Sequence, residues 1–182
     1  NLENFDIANI KYNLEGLFKV TQSIFTDARG DFSRLFCGVE LNHYFDASFA
    51  QVNLSRTSQI GTVRGIHSQS PPKAEMKYVC CVKGKIYDVA VDLRMNSKSF
   101  GEYFGLELSG DIHEGLILPK GFGHAFQALT NDVEMIYFHS EVYQPELDCG
   151  VNVLDPEIGI DWPLDISNIS TRDKNLPKLR NF

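Results

Sequence analysis

The sequence predicts an all-β domain, an antiparallel jelly-roll β-sandwich with short peripheral helices. Its apolar stretches are short and are interrupted by Gly, Pro and Asn, and none has the period of a long helix. Turn residues recur about every 8–12 residues, which is typical of sandwiches and barrels. With 182 residues and no internal repeat or linker, the chain is expected to form a single domain over residues 1–182.

Two pairs of strands follow from apolar runs that flank turn residues. Residues 77–82 and 85–93 are separated by a Lys-Gly pair, which predicts a hairpin with Gly84 near the turn. Residues 125–129 and 133–138 are separated by Thr-Asn-Asp, which predicts a second hairpin.

The remaining elements are shorter. Residues 103–109 alternate as a half-buried strand does, and residues 115–118 form an apolar strand that a Pro and a Gly then end. A small helix is expected near residues 38–43. Residues 161–173 contain Pro, Asp and Asn at short intervals and are expected to wrap the surface.

Charge and cysteine content exclude several classes of protein. The net charge of −7 argues against general nucleic-acid binding, although a nucleotide needs only a few local cations. No apolar run of about 18 residues predicts a membrane span, and the N-terminal residues lack a secretion-signal pattern, so a cytoplasmic protein is expected. Cys80 and Cys81 point to opposite faces of a strand, and no CxxC spacing occurs; together with Cys37 and Cys149 they are expected to be buried free thiols.

Four side chains with acid–base or cationic character lie on the predicted short strands. Arg64 and His67 belong to the string Arg-Gly-Ile-His, His124 ends the string Pro-Lys-Gly-Phe-Gly-His, and Tyr137 follows Met-Ile. Removing a proton next to a carbonyl requires a base, a cation that holds the developing oxyanion, and an acid that returns a proton. This set therefore favours proton-transfer chemistry at carbon.

The spacing of Gly115, Pro119, Gly121 and His124 resembles the second conserved motif of the cupin superfamily. Many cupins hold a metal with an earlier histidine cluster together with this later histidine. Here His67 is followed by Ser and Gln, so the three ligands that a convincing metal site needs are not in place. We therefore expect neither a metal nor another cofactor.

Most of the chain resembles one family within that superfamily, the nucleotide-sugar 3,5-epimerases, typified by dTDP-4-dehydrorhamnose 3,5-epimerase. The matching segments follow one another in order, at residues 25–32, 51–56, 63–69, 71–77, 88–94, 119–124, 155–163 and 170–173. The resemblance implies a homodimeric epimerase that inverts C3, C5 or both in a nucleoside diphosphate-linked 4-keto sugar. It also implies that the N-terminal strand reaches the neighbouring subunit's site.

The resemblance further implies four catalytic residues. His67 matches the general base, Asp173 its carboxylate partner, Lys77 the lysine near the C4 ketone, and Tyr137 the acid on the opposite face. Three of them also have a plain structural explanation: His67 as a satisfied core histidine, Lys77 as a solvated charge and Tyr137 as an inward-facing core tyrosine. Tyr143 remains the alternative acid.

Residues that would contact the substrate follow from the same matches. Arg29 and Phe32 match diphosphate and base contacts, and Arg64 and His124 match contacts to the diphosphate or sugar. The full set of predicted binding residues is Arg29, Phe32, Gln51, Asn53, Arg64, His124, Tyr143 and Arg172. Asp88 is expected to orient His67 or another polar group.

Three positions depart from the family pattern. Arg34 stands where a glutamate is usual, Ser68 replaces an aromatic residue, and Glu75 replaces a frequent glutamine. The reversed charge at Arg34 leads us to expect a nucleotide other than dTDP, such as GDP or CDP, or a heptose as the sugar. Three alternatives remain: a single-site 3-epimerase, a non-catalytic sugar-nucleotide-binding cupin, and a metal-dependent cupin enzyme.

Overall fold

A computed structural model describes residues 4–10, 14–44 and 50–182, which form a β-sandwich. Its strands, in chain order, are β1 (Phe5–Asn9), β2 (Phe18–Gln22), β3 (Ile24–Asp27), β4 (Gly30–Ser33), β5 (Gln51–Thr57), β6 (Val63–Gln69), β7 (Lys77–Lys83), β8 (Lys85–Asp92), β9 (Tyr103–Ser109), β10 (Gly115–Leu118), β11 (Phe122–Ala128), β12 (Val133–His139) and β13 (Asp148–Gly150). One sheet has the strand order β1-β2-β10-β7-β12-β5, and the other has the order β13-β6-β11-β8-β9. Strands β3 and β4 pair separately as a small hairpin.

Neighbouring strands within these sheets run antiparallel, which confirms the predicted fold class. The helices are short: α1 covers Gly38–Leu41, as expected near residues 38–43, and α2 covers Thr171–Lys174. Single 3-10 turns lie at Gly110–Ile112, Pro145–Leu147 and Leu179–Asn181. In the part of the chain that the structure describes, no helix has the length and apolar character needed to cross a membrane.

Both predicted hairpins are wrong in their pairing, although their strands are in place. Strands β7 and β8, on either side of Gly84, lie in different sheets; β7 pairs with β10 and β12, and β8 with β9 and β11. Strands β11 and β12 are separated in the same way. Strands β7, β8 and β11 are buried on both faces along most of their length, but apolar patterning does not show which sheet each one joins. The short turns therefore carry the chain across the sandwich.

Strand β7 shows how the two faces of one sheet are used. Val79 and Cys81 point into the core between the sheets, whereas Tyr78 and Cys80 pack on the opposite face, towards Leu41 of α1. The predicted opposite orientation of the two adjacent cysteines is confirmed. Burial raises the pKa of both thiols to about 12, so both are protonated at neutral pH. Both thiols are free.

The two other cysteines differ in burial from the expectation. Cys37 and Cys149 are also free thiols, but both are only partly buried. Cys37 is the residue before α1, and Cys149 lies within the three-residue strand β13 at the edge of its sheet, where the sandwich covers them less completely.

The C-terminal segment covers the outer face of the five-stranded sheet, as the predicted wrapping of residues 161–173 requires. Trp162, Ile166 and Ile169 are partly buried against the cluster that contains Val63 and Val91. The segment then enters α2, where Asp173 is almost completely buried. The segment therefore places the Asp173 carboxylate against strand β6 of the five-stranded sheet.

Asp92, at the end of β8, organises the loop that follows. Its carboxylate accepts hydrogen bonds from the guanidinium of Arg94 and from the hydroxyls of Ser97 and Ser99. Burial works to raise the pKa of Asp92, but these hydrogen bonds outweigh burial and lower it to about 2.

Replacing Asp92→Asn should lower the free energy of unfolding by about 2 kcal/mol at neutral pH, because the folded protein stabilises the ionised carboxylate. This contribution is complete above about pH 4, where an unfolded-state aspartate is ionised, and disappears as the pH falls towards about 2. Urea unfolding followed by circular dichroism at neutral pH and near pH 3 checks it, with the exposed Asp6→Asn as a control. An equal loss at both pH values would contradict the assignment.

Candidate active site

Polar side chains replace apolar packing at one end of the sandwich interior. Strand pairing places His124 opposite His67 in one sheet and His139 opposite Lys77 in the other. A cavity of about 230 Å³ opens between them. The predicted residues that line it are Asn53, Arg64, His67, Lys77, His124 and Tyr137. The fold thus brings six of the twelve predicted site residues into one cavity.

His67 is hydrogen-bonded to Asp173, as the resemblance implies. His67 Nε2 lies 2.7 Å from Asp173 Oδ1, and the Gly65 amide donates to Asp173 Oδ2 at 3.0 Å. Ser170 caps α2 by accepting a hydrogen bond from the Asp173 amide. Burial works to raise the pKa of Asp173, but the hydrogen bonds from His67 and Gly65 outweigh it and lower the pKa. The carboxylate is therefore ionised, and His67 Nε2 donates to it.

This arrangement gives His67 the electronic form that a base needs. With its proton on Nε2, a neutral imidazole carries its lone pair on Nδ1. The ionised Asp173 then stabilises the imidazolium that forms when Nδ1 takes up a proton. Gly65 allows β6 and β11 to lie close together near His67, because a side chain at this position would collide with the His124 carbonyl.

Lys77 occupies the first position of β7 and is almost fully buried. Its Nζ lies 3.4 Å from the His67 carbonyl oxygen and 3.5 Å from Glu75 Oε1. Burial lowers the pKa of Lys77, and the nearby Glu75 carboxylate opposes that change. Lys77 Nζ thus lies beside the candidate base, next to a carboxylate that favours its protonated form.

Tyr137 faces the same cavity from the six-stranded sheet. Its hydroxyl lies 2.9 Å from Ser55 Oγ, and its ring meets the His124 ring edge-on with centroids 6.0 Å apart. Burial raises the pKa of Tyr137 to about 12, so the phenol keeps its proton at neutral pH. It can therefore serve as an acid.

His124 has a carboxylate partner of its own. Its Nε2 is hydrogen-bonded to Asp88 Oδ1, and both side chains are buried. Asp88 thus orients His124 rather than His67. Burial raises the pKa of Asp88, although the bond to His124 opposes the change. His124 is held rigidly in the cavity wall.

Three of the predicted binding residues lie beside this cavity. Gln51 and Tyr143 line an adjoining hollow of about 460 Å³, where Gln51 Oε1 accepts a hydrogen bond from the Tyr143 amide. Tyr143 is half exposed and donates its hydroxyl proton to Asp148. Arg172 also donates to Asp148 and lines a further hollow with Arg64 and His67. Tyr137 lines the cavity that contains His67 and Lys77, whereas Tyr143 does not, and this position favours Tyr137 as the candidate acid.

Arg29 and Phe32 lie outside the cavity. Both belong to the β3–β4 hairpin; Phe32 is 63% exposed, and Arg29 pairs with Asp27 at 2.6 Å. They line a separate surface hollow of about 270 Å³. Arg34 lies 3.7 Å from Glu40. Within one chain, the fold therefore does not bring Arg29 and Phe32, the predicted contacts to the diphosphate and the nucleobase, to the predicted catalytic groups.

The structure adds three polar residues that sequence reasoning did not place in the site: Ser55, Glu75 and His139. Ser55 lies two residues after Asn53, and His139 two residues after Tyr137, so strand alternation points them to the same side as their predicted neighbours. That signal was present in the sequence. Within residues 4–10, 14–44 and 50–182, no group of three His, Cys, Asp or Glu side chains is arranged to hold a metal ion.

Comparison with known proteins covers almost the whole chain. The family model described as dTDP-4-dehydrorhamnose 3,5-epimerase matches residues 11–181. A dTDP-4-dehydrorhamnose 3,5-epimerase from Methanothermobacter thermautotrophicus is 38% identical over 175 residues, with 94% of each chain covered. A dTDP-4-dehydro-6-deoxyglucose 3-epimerase from a Streptomyces species is also 38% identical, over 92% of this chain and 86% of its own.

A solved structure agrees with these matches. The dTDP-6-deoxy-D-glucose-3,5-epimerase of Legionella pneumophila, in complex with dTDP-4-keto-L-rhamnose, superposes with a TM-score of 0.89 at 33% identity. The match covers 97% of this chain and 93% of that chain. The sequence and fold comparisons thus agree, and the chain is an epimerase that belongs to the dTDP-4-dehydrorhamnose 3,5-epimerase family.

Proposed function

We propose that this epimerase inverts C3, or C3 and C5, of a dTDP-linked 4-keto-6-deoxy sugar by proton removal and return through an enolate. The observation that carries the proposal is the shared cavity, in which the Asp173-bound His67, the buried Lys77 and the protonated Tyr137 meet. The dTDP-linked substrate follows from the relatives, which are named for such sugars. No metal or other cofactor has a step in this mechanism.

Each group has one task in the proposed reaction. His67 Nδ1 takes the proton from the carbon next to the ketone, and Asp173 stabilises the resulting imidazolium. The C–H electron pair moves to the ketone oxygen as the enolate forms, and the ammonium of Lys77 stabilises its charge. Tyr137 then donates its proton to the opposite face of the same carbon. Solvent reprotonates Tyr137 and accepts the proton from His67.

The proposed catalytic unit is a homodimer in which the β3–β4 hairpin reaches the partner's site. This arrangement is supported by the position of Arg29 and Phe32, which are exposed and distant from the cavity of their own chain. Arg29 would then bind the diphosphate, and Phe32 would stack on the nucleobase. The expected cytoplasmic location is supported by four free cysteines.

Incubation in D₂O with dTDP-, GDP- and CDP-linked 4-keto-6-deoxy sugars should place deuterium at C3, or at C3 and C5, most rapidly in the dTDP sugar. His67→Asn should slow this exchange at least about 100-fold, because the general base is lost. Proton NMR of the sugar measures both the rate and the position of exchange. The exposed His43→Asn serves as the matched control.

Three other results would contradict the proposed substrate or the proposed reaction. Faster exchange in a GDP or CDP sugar would support the different nucleotide that Arg34 led us to expect. Nucleotide binding without exchange in any sugar would indicate a non-catalytic binding protein. Exchange that a chelator abolishes and iron or manganese restores would indicate a metal-dependent enzyme.

Tyr137→Phe should separate exchange from inversion. His67 can still remove a proton and return solvent deuterium to the same face, so exchange with retention should continue. Formation of the inverted sugar should fall by about 100-fold or more, because the acid on the opposite face is missing. Chromatography of the products, combined with NMR, distinguishes the two outcomes. If Tyr143→Phe blocks inversion and Tyr137→Phe does not, the roles of the two tyrosines are reversed.

Mixed dimers should reveal whether the hairpin acts across the interface. Arg29→Ala and His67→Asn homodimers should each be weakly active at low substrate concentration. Random mixing of the two chains should restore about a quarter of the wild-type sites, because half the dimers are mixed and each mixed dimer has one intact site. Activity is measured after the chains are unfolded and refolded together. No recovery would show that Arg29 acts within its own chain.

A further inference from the structure

Glu75 is a buried carboxylate at the boundary between the cavity and the adjoining hollow. Its side chain is 8% exposed, and its two oxygens have different partners. Oε1 lies 3.5 Å from Lys77 Nζ, and Oε2 lies 3.1 Å from His139 Nδ1. A buried charge is costly unless it is paired, so both contacts are needed to keep an ionised carboxylate here.

The direction of its hydrogen bonds shows which ring nitrogen of His139 carries the proton. Asn53 Nδ2, which can only donate, lies 3.3 Å from His139 Nε2. His139 Nε2 therefore accepts, and His139 Nδ1 carries the proton that it donates to Glu75. Asn53, His139 and Glu75 thus form a connected chain that ends at the ammonium of Lys77.

Lys77 needs this partner because of where it lies. Its side chain is 11% exposed, and burial lowers its pKa by favouring the neutral amine. A neutral amine would not stabilise an enolate as an ammonium does. The Glu75 carboxylate opposes the effect of burial, both through its charge and through its hydrogen bond.

Other charged and titratable groups also face Lys77, from every strand that packs around it. They are Arg64 and His67 on β6, His124 on β11, Tyr137 and His139 on β12, and Asp148 and Cys149 on β13. Among the acids, Asp148 is already bound by Arg172 and Tyr143. Glu75 is the carboxylate that contacts Lys77 Nζ in the described part of the chain.

We propose that Glu75 is a positioning residue, which fixes Lys77 Nζ beside the substrate cavity and keeps it protonated, and that Asn53 and His139 hold the Glu75 carboxylate in place. Glu75 itself contacts no reacting atom. The proposal rests on the proposed function for the part that Lys77 plays, and it assigns a task to two residues, Glu75 and His139, that the reaction scheme leaves unused.

The test uses Glu75→Gln, which keeps the shape of the side chain and removes its charge. Lys77 in this variant should titrate at lower pH than in the wild type, as seen in the ¹³Cε signal of ¹³C-lysine-labelled protein. The signal is assigned by its loss in Lys77→Arg. The ratio of variant to wild-type kcat should fall about tenfold between mildly acidic and alkaline pH, because Lys77 without the carboxylate loses its proton, and with it the charge that stabilises the enolate, at lower pH.

Two further variants separate charge from structure. Glu75→Asp keeps the charge, so Lys77 should titrate nearly as in the wild type. Glu141→Gln removes a carboxylate that pairs with the more exposed Lys73 at 3.3 Å, and it should leave both the Lys77 titration and the pH profile unchanged. Equal shifts in Glu75→Asp and Glu75→Gln, or a loss of kcat that is the same at every pH, would overturn the proposal.

The NMR titration requires no substrate, so the two proposals fail separately. If the wild type exchanges no sugar proton, the proposed function fails while the pairing of Glu75 with Lys77 can still be measured. If the wild type is active and Glu75→Gln leaves the Lys77 titration unchanged, the function stands and the role of Glu75 is wrong.

Discussion

The hydrogen bond between His67 and Asp173 is the contact on which the rest of the site depends, because it joins residues 106 positions apart in the chain. His67 is fixed by its strand, whereas Asp173 arrives only after the C-terminal segment has crossed the outer face of the five-stranded sheet. The carboxylate partner of His67 is therefore in place only when that segment is docked on the sheet.

The two histidine–carboxylate pairs look alike but differ in their electrostatics. Asp173 accepts hydrogen bonds at both oxygens, from His67 and from the Gly65 amide, and its pKa is lowered. Asp88 Oδ2 is buried without a partner among the described residues, and the pKa of Asp88 is raised. Asp173 is therefore the more readily ionised of the two carboxylates. This difference favours His67, rather than His124, as the proposed base.

The sequence predicted six of the thirteen described strands and six of the polar residues of the cavity, because both depend on local alternation and on motifs such as Arg-Gly-Ile-His. It did not predict which sheet each strand joins, since β7, β8 and β11 are buried on both faces along most of their length and the turns that follow β7 and β11 are short enough for either arrangement. The pairing of Glu75 with His139 was also missed. These residues are 64 positions apart, and only the closed sandwich brings them together.

Recognition of the nucleotide and inversion of the sugar are assigned to separate parts of the chain. A cavity of about 230 Å³ can hold a sugar ring but not a whole nucleoside diphosphate sugar, so the nucleobase must bind outside it. In the proposed dimer, Arg34 and the β3–β4 hairpin would therefore bear on the choice of nucleotide, and the cavity residues would bear on the chemistry. C3 and C5 both flank the ketone carbon, so the same base and acid can serve either position when the ring is turned. The number of inverted centres thus depends on how the ring is held, which explains why 3-epimerases and 3,5-epimerases are equally similar to this chain.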